Sequence, residues 1–143
     1  MTSYVSADLR RLVEDRAGHR CEYCLIRESD TYLGCQVDHI IAEKHGGETT
    51  AENLSLACTF CNRAKGSDIG SIAASTGELT RFFNPRSDRW SDHFQLSGNR
   101  IEPLTPVGEA TERVLGFNTA DRLVERESLQ SIGFFPTDEE VGG

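Results

Sequence analysis

The chain has 143 residues and a mass of 15.8 kDa, which suits a single domain around a modest hydrophobic core. Fifteen Lys and Arg side chains against 23 Asp and Glu give a net charge of −8, which argues against binding to nucleic acid by bulk charge alone. The longest apolar stretches are only a few residues, and the first residues contain no apolar signal-peptide core. We therefore expect a cytoplasmic protein without a transmembrane helix.

A helix is predicted near the start of the chain, capped by Ser6 and stopped at Gly18. Its apolar residues at helical spacing are Leu9, Leu12, Val13 and Ala17. The first C-x-x-C pair follows this helix at once and is predicted to form a tight knuckle.

The sequence of residues 33–65 predicts a strand, a loop and a short helix. Residues 33–41 alternate between two faces, which indicates a strand, with Cys35 as a small buried hydrophobic residue. Residues 44–50 contain two glycines and two threonines and predict a turn and loop. A short, partly apolar segment over residues 53–57 then leads into a short predicted helix over 59–65.

The second half of the chain predicts a loop, a hairpin and two helices. Residues 84–88 predict a loop, and residues 97–99 form the turn of a predicted hairpin between 93–96 and 100–104. Apolar residues at helical spacing then predict two helices, over 108–115 and 119–131. The last seven residues, 137–143, are predicted to be frayed.

Four of the five cysteines fall into two pairs, Cys21 with Cys24 and Cys58 with Cys61. Without an export signal, such pairs favour metal ligation over disulfide bonds. Four thiolates at this spacing can close a tetrahedral shell around Zn²⁺ and leave no position for water, so the predicted zinc is structural. Two redox pairs, or buried free thiols, are the alternative interpretations.

The residues between and after the pairs carry a composite motif. It consists of Val37-Asp38-His39-Ile40-Ile41, Gly46-Gly47, Glu52-Asn53-Leu54 and Cys61-Asn62-Arg63-Ala64-Lys65-Gly66. Over about residues 21–68 this run resembles the HNH endonucleases, in particular small stand-alone members with four zinc-binding cysteines. The resemblance implies an α+β fold with a ββα-metal (His-Me finger) core and structural zinc knuckles.

The predicted organisation places this core within one domain over residues 1–143. The HNH core spans 19–70 and follows the N-terminal helix. A C-terminal extension of hairpin and helices spans 80–132.

The resemblance also implies a role for four polar side chains. His39 would be the general base that takes a proton from water, because imidazole titrates near neutral pH. Asp38 and Asn62 would hold one divalent cation, Mg²⁺ or Mn²⁺, since both offer hard oxygen ligands. Asn62 stands where His is frequent in the family, which favours these cations over zinc or nickel. Asn53 would tie down the loop that orients His39.

Basic side chains near this motif are candidates for phosphate contacts. Arg63 and Lys65 follow Asn62 on the predicted short helix, and Lys44 precedes the two glycines. Arg20 and Arg27 are further candidates. A solvated face is the alternative interpretation for each of them.

The motif therefore predicts metal-dependent hydrolysis of phosphodiester bonds, with DNA as the favoured substrate. No base-reading module is evident, so we expect either a weak sequence preference or a partner that supplies targeting. A homodimer is left open. The alternative is a non-catalytic zinc-scaffolded module that binds nucleic acid or protein, and a thiol redox protein is a third possibility. His19 is predicted to lie outside the zinc shell and His45 in a solvated loop.

Overall fold

The computed structural model describes residues 4–142, which divide into two units between Ile69 and Gly70. The predicted HNH core, 19–70, ends one residue beyond the first unit. The single domain predicted for the whole chain stays a prediction. Within residues 4–142, no helix combines the length and the apolar character needed to cross a membrane.

The first unit opens with helix α1 (Ala7–Arg16), as predicted. The hydroxyl of Ser6 accepts a hydrogen bond from the Leu9 amide at 3.1 Å and so satisfies one donor of the first turn. In the last turn, the Arg16 guanidinium donates to two backbone carbonyls, that of Ala51 in the turn before the second strand and that of Leu54, the first residue of this strand. These bonds fix the orientation of α1 against that strand.

A two-stranded antiparallel sheet and a helix form the centre of this unit. Strand β1 (Cys35–His39) pairs with β2 (Leu54–Cys58), and helix α2 (Thr59–Lys65) follows β2 without a linker. Every residue of β2 is buried. Burial on both faces favours a continuous hydrophobic run over alternation, which is why the sequence gives β2 a weaker strand signal than β1. The order strand, strand, helix confirms the predicted ββα core.

Over residues 70–142 the second unit contains two hairpins and four helices. The first hairpin pairs β3 (Gly70–Ile72) with β4 (Leu79–Arg81), and the second pairs β5 (Phe94–Ser97) with β6 (Arg100–Pro103). The one-turn helix α3 (Trp90–His93) precedes β5. The β5–β6 hairpin was predicted, whereas the sequence analysis missed the three-residue strands β3 and β4 and the helix α3.

Two longer helices pack in this unit over an aromatic core. Helix α4 (Pro106–Leu115) and helix α5 (Ala120–Ser131) lie close to their predicted bounds. Phe94 makes edge contacts with Phe83 and with Phe117, each with ring centroids 5.6 Å apart. Such edge-to-face contacts are a preferred geometry of aromatic pairs.

The C-terminal segment forms a short helix, α6 (Asp138–Gly142), where the sequence predicts a frayed end. Thr137 and Glu140 exchange hydrogen bonds between side chain and backbone, as in a capping box. The Asp138 carboxylate also accepts a hydrogen bond from the Leu96 amide of β5 at 2.9 Å. These bonds order the segment, while Gly143 lies outside the described residues.

Candidate metal centre and active site

The two cysteine pairs converge on one point in the first unit. All four side chains are buried, and their Sγ atoms lie within 4.8 Å of one another. In each pair the second cysteine's amide points at the sulfur of the first, with Cys24 N 3.4 Å from Cys21 Sγ and Cys61 N 3.5 Å from Cys58 Sγ. Backbone donors of this kind stabilise negative charge on sulfur.

This cluster fits a tetrahedral Zn²⁺ ion. The Sγ atoms of Cys24 and Cys58 are 3.6 Å apart, close to the edge of about 3.8 Å that Zn–S bonds of 2.3 Å require. Burial raises the pKa of the Cys21 and Cys61 thiols well above the ordinary value. Four thiolates in such an environment need a cation to balance their charge, and the four cysteines could hold a structural zinc ion.

The thiol cluster joins segments that are distant in sequence. Cys21 and Cys24 lie in the loop after α1, whereas Cys58 ends β2 and Cys61 lies in α2. Glu22 adds two bonds to the same junction, because its amide donates to the Leu56 carbonyl and its carboxylate accepts from the Leu56 amide. The fifth cysteine, Cys35, is buried as predicted and lies outside the cluster.

His39 lies at the end of β1, and its ring is held by a residue that the sequence analysis missed. Its Nε2 atom is 2.8 Å from the hydroxyl of Thr49. Thr49 is in the loop between β1 and β2, ten residues further along the chain, and one threonine in a polar loop gives no sequence signal of this contact. The other ring nitrogen, Nδ1, is the atom left for a reacting group.

Asn53 connects the Thr49 loop to the residues that follow His39. Its side-chain oxygen accepts from the Ile41 amide at 3.0 Å, and its nitrogen donates to the carbonyls of Ile41 and Glu48, both at 2.9 Å. At Gly47 a side chain would collide with the Ile41 carbonyl oxygen and approach the Asn53 amide to 2.8 Å. This close approach accounts for a glycine at position 47 and keeps the loop tight.

Lys65 has a position other than the predicted one. Its side chain is only 2% exposed, and its Nζ atom lies 2.9 Å from Asp38 Oδ2. The same ammonium donates to the His39 carbonyl at 2.9 Å. Lys65 therefore points into the first unit and, in this conformation, cannot contact a phosphate as the sequence analysis expected.

The ion pair opposes the effect of burial on the pKa of the predicted metal ligand Asp38. Burial raises the pKa of its carboxyl above the ordinary value, and the positive charge of Lys65 acts in the opposite direction. The lysine thus favours an ionised carboxylate in a place where desolvation alone would favour the neutral acid.

Asn62 lies against the face of β1 that carries Asp38. Its amide nitrogen donates to the side-chain oxygen of Gln36. Residues 36 and 38 lie on the same face of the strand, because side chains alternate along it. The hydrogen bond uses the Asn62 nitrogen as donor, so its oxygen is the atom that can face a cation. Gln36 is a second residue that the sequence analysis did not select.

The other predicted basic residues divide into two groups. Arg63 and Lys44 are exposed, as a phosphate contact requires. Arg27 instead pairs with Asp30, with Nε and Oδ2 2.6 Å apart, and Arg20 donates to the Leu25 carbonyl at 3.0 Å.

Two further histidines, His19 and His45, are not part of the cysteine cluster. His19 lies near two carboxylates, 3.5 Å from Glu28 and 3.2 Å from Asp15. The contact with Glu28 is the main cause of a raised pKa for His19. His45 is exposed in the loop, where the sequence placed it.

Comparison with protein families gives a match to this part of the chain. Residues 21–68 match the family model of the HNH endonucleases, so this segment is similar to an HNH domain. The match begins at the first cysteine of the metal cluster and includes β1, β2, α2 and the polar residues around His39. No curated protein and no solved structure gives a match.

Removal of one cysteine of the cluster tests the metal centre. We expect Cys61→Ser to lower the zinc content from about one ion per chain and to destabilise the first unit, because three thiolates leave the shell open. Metal analysis of the purified protein and near-ultraviolet circular dichroism measure both effects. Cys35→Ser is the matched control, since Cys35 is also buried and pairs with Cys58 across the strands. Equal zinc in both variants would contradict the four-thiolate site.

The buried ammonium of Lys65 gives a second prediction. Lys65→Met should lower the free energy of unfolding by about 3–5 kcal/mol, because it leaves the Asp38 carboxylate buried without its partner. Lys44→Met removes an exposed lysine and should change stability by about 0.5 kcal/mol or less. Urea denaturation at neutral pH compares the two. Similar losses in both variants would show that the Asp38–Lys65 pair has no special structural role.

Proposed function

We propose that this protein is a divalent-metal-dependent endonuclease that hydrolyses phosphodiester bonds, with DNA as its substrate. The observation that carries the proposal is the arrangement of His39 within the segment that is similar to an HNH domain. The His39 ring is hydrogen-bonded to Thr49, and the residue before it in the sequence is Asp38, whose carboxylate is buried. A tethered imidazole next to a possible metal ligand is the arrangement that proton transfer during phosphate hydrolysis requires.

The tether assigns separate tasks to the two ring nitrogens of His39. When Nε2–H donates to the Thr49 hydroxyl, Nδ1 carries the lone pair and can accept a proton from water. Protonation of Nδ1 then makes the ring a cation that keeps its bond to Thr49. Thr49 is therefore proposed as a positioning residue that fixes both the orientation and the tautomer of the base.

The donor atoms near β1 fit a hard divalent cation. The carboxylate of Asp38 and the amide oxygen of Asn62 are the proposed ligands, and oxygen donors of this kind suit Mg²⁺ or Mn²⁺. When bound, such a cation would stabilise the charge that develops on the phosphate and on the leaving oxygen. Lys65 helps by keeping Asp38 ionised, and Asn53 by keeping the Thr49 loop against the end of β1.

The proposed reaction balances with these groups. The water oxygen forms a bond to phosphorus while one water proton passes to His39 Nδ1. The bond between phosphorus and the 3′-oxygen breaks, and the leaving oxygen takes a proton from solvent. The products are a 5′-phosphate and a 3′-hydroxyl, and His39 returns its proton to solvent.

The natural target and partners belong to the same proposal. With a net charge of −8, long-range attraction to nucleic acid is weak. We therefore propose that a targeting partner or a second copy of this chain brings the protein to its substrate in the cytoplasm.

A plasmid-nicking assay tests the proposed activity. Purified zinc-loaded protein should cut in the presence of Mg²⁺ or Mn²⁺, and His39→Ala should lower the rate by about 10²- to 10⁴-fold, the usual contribution of a general base. His45→Ala is the matched control, because His45 is an exposed histidine of the following loop. Equal cutting by wild type and His39→Ala would contradict the proposal. A folded, zinc-loaded protein that binds nucleic acid but never cuts would favour the non-catalytic binding module.

Substitution of Thr49 tests the tether. Thr49→Val keeps the shape of the side chain but loses the hydroxyl. We expect cleavage to fall about 10- to 100-fold, by analogy with the loss when partners that orient a metal-binding histidine are removed. Thr49→Ser should restore most of the rate. Nitrogen NMR of His39 should show the Nε2–H tautomer in wild type and a mixture in Thr49→Val. An unchanged tautomer and rate in the valine variant would remove Thr49 from the mechanism.

A further inference from the structure

The first unit has an exposed apolar surface to which helix α2 contributes. Tyr32 is fully exposed, and Leu33 and Phe60 are each 58% exposed. We call this the Tyr32–Phe60 surface. The residues around its shallow pocket are Thr31, Tyr32, Leu33, Thr59, Phe60 and Arg63.

The loop that carries Tyr32 is tied at both ends. Before it, the Arg27 guanidinium holds Asp30 with two bonds, at 2.6 and 3.1 Å. After it, the Gly34 carbonyl accepts a bond of 3.5 Å from the hydroxyl of Thr59, the first residue of α2. Tyr32 is thus presented to solvent on an anchored loop, so binding there does not require the loop backbone to become ordered first.

Helix α2 carries part of this surface and also the proposed metal ligand Asn62. Phe60 and Arg63 are three residues apart and share one side of the helix. Asn62, which faces β1 through Gln36, directly precedes Arg63. The aromatic surface, an exposed guanidinium and a proposed cation ligand therefore follow one another around a helix of seven residues.

Charge alone gives the first unit little attraction for nucleic acid. Residues 1–69 contain 8 basic and 11 acidic side chains. Three of the five basic residues suggested as phosphate contacts are engaged within the protein, namely Lys65, Arg20 and Arg27. At this pocket a nucleic acid could contact one guanidinium, that of Arg63, and two exposed aromatic rings, those of Tyr32 and Phe60. Stacking of bases on aromatic rings can supply the binding energy that charge does not.

We propose that the Tyr32–Phe60 surface binds unstacked bases of single-stranded nucleic acid, with Arg63 on the adjoining phosphate, an inference whose place beside the cleavage centre rests on the proposed function. Bases within an intact duplex are stacked on each other and cannot present their faces to Tyr32 or Phe60. The surface therefore selects single strands, frayed ends or gapped sites over intact duplex, because only these offer a base face without prior unstacking.

Fluorescence anisotropy with a labelled oligothymidylate tests this binding. The measurements use the His39→Ala background, so that the strand is not cut and the result does not depend on nuclease activity. We expect Tyr32→Ala and Phe60→Ala each to raise the Kd by about 5- to 150-fold, the usual loss for one stacked base. Tyr32→Phe keeps the ring and should bind as the parent does. Tyr4→Ala is the matched control, because Tyr4 is an exposed tyrosine outside this surface.

An abasic strand of the same length separates stacking from phosphate contacts. The parent should bind it more weakly than Tyr32→Ala binds oligothymidylate, because the abasic strand removes the stacking on both Tyr32 and Phe60. Tyr32→Ala should bind the abasic strand as the parent does. An oligoribonucleotide arm compares the two sugars, and the loss on Tyr32→Ala must appear on whichever strand binds more tightly. An unchanged Kd in Tyr32→Ala, or an equal loss on the abasic strand, overturns the proposal. Self-association that Tyr32→Ala abolishes, with strand binding intact, would make this a protein interface and also overturn it.

A failure of this surface is distinguishable from a failure of the nuclease proposal. Loss of the nicking activity on His39→Ala with unchanged strand binding in Tyr32→Ala would leave the nuclease and remove the stacking surface. Strand binding that depends on Tyr32, in a protein that never cuts, would leave the stacking surface and remove the nuclease.

Discussion

The convergence of four buried thiols is the constraint on which the first unit depends. Cys58 takes part in three structures at once, since it ends β2, caps α2 by accepting a bond from the Cys61 amide, and contributes one sulfur to the cluster. A helix that must begin at a fixed residue has a fixed rotation about its axis. This rotation turns Lys65 into the unit and Asn62 towards β1, while Phe60 and Arg63 stay at the surface. A closed zinc shell would therefore set the geometry of the candidate active site without taking part in the chemistry.

The Asp38–Lys65 pair shows how this geometry determines charge. A carboxylate buried at the end of β1 would tend to take up a proton, and a neutral acid is a poor ligand for a divalent cation. The ammonium of Lys65 opposes that tendency through the ion pair, and its hydrogen bond to the His39 carbonyl fixes the backbone of the proposed base. Lys65 of α2 thus contacts both the proposed metal ligand Asp38 and the proposed base His39. A helix shifted by one residue would lose both contacts.

Local signals predicted much of the fold, and contacts between distant residues explain what was missed. Ser6 and the spacing within each cysteine pair act over three or four residues, so α1, α2 and the two knuckles could be predicted from local sequence. The joining of the two pairs was predicted from zinc chemistry, because Zn²⁺ needs four ligands. The partner of His39 is ten residues away and that of Asp38 twenty-seven, and both depend on the β1–β2 register and on the path of the connecting loop. Lys65 looked like a phosphate contact because a lysine's hydropathy does not reveal a buried ion pair. Strands β3 and β4 have only three residues each, too few for an alternating pattern.

The acidic composition of the chain has a physical consequence for the proposed nuclease. Affinity that comes from phosphate contacts falls steeply with salt, because each contact releases condensed counterions. Stacking releases none, so a site built from Tyr32 and Phe60 with a single arginine keeps most of its affinity as ionic strength rises. Such a site also has little hold on intact duplex, where the base faces are already covered. The negative net charge of the chain weakens binding to intact duplex. The exposed rings of Tyr32 and Phe60 would bind strands whose bases are unstacked. The proposed catalytic centre would thus meet the phosphates of open strands more often than those of intact duplex.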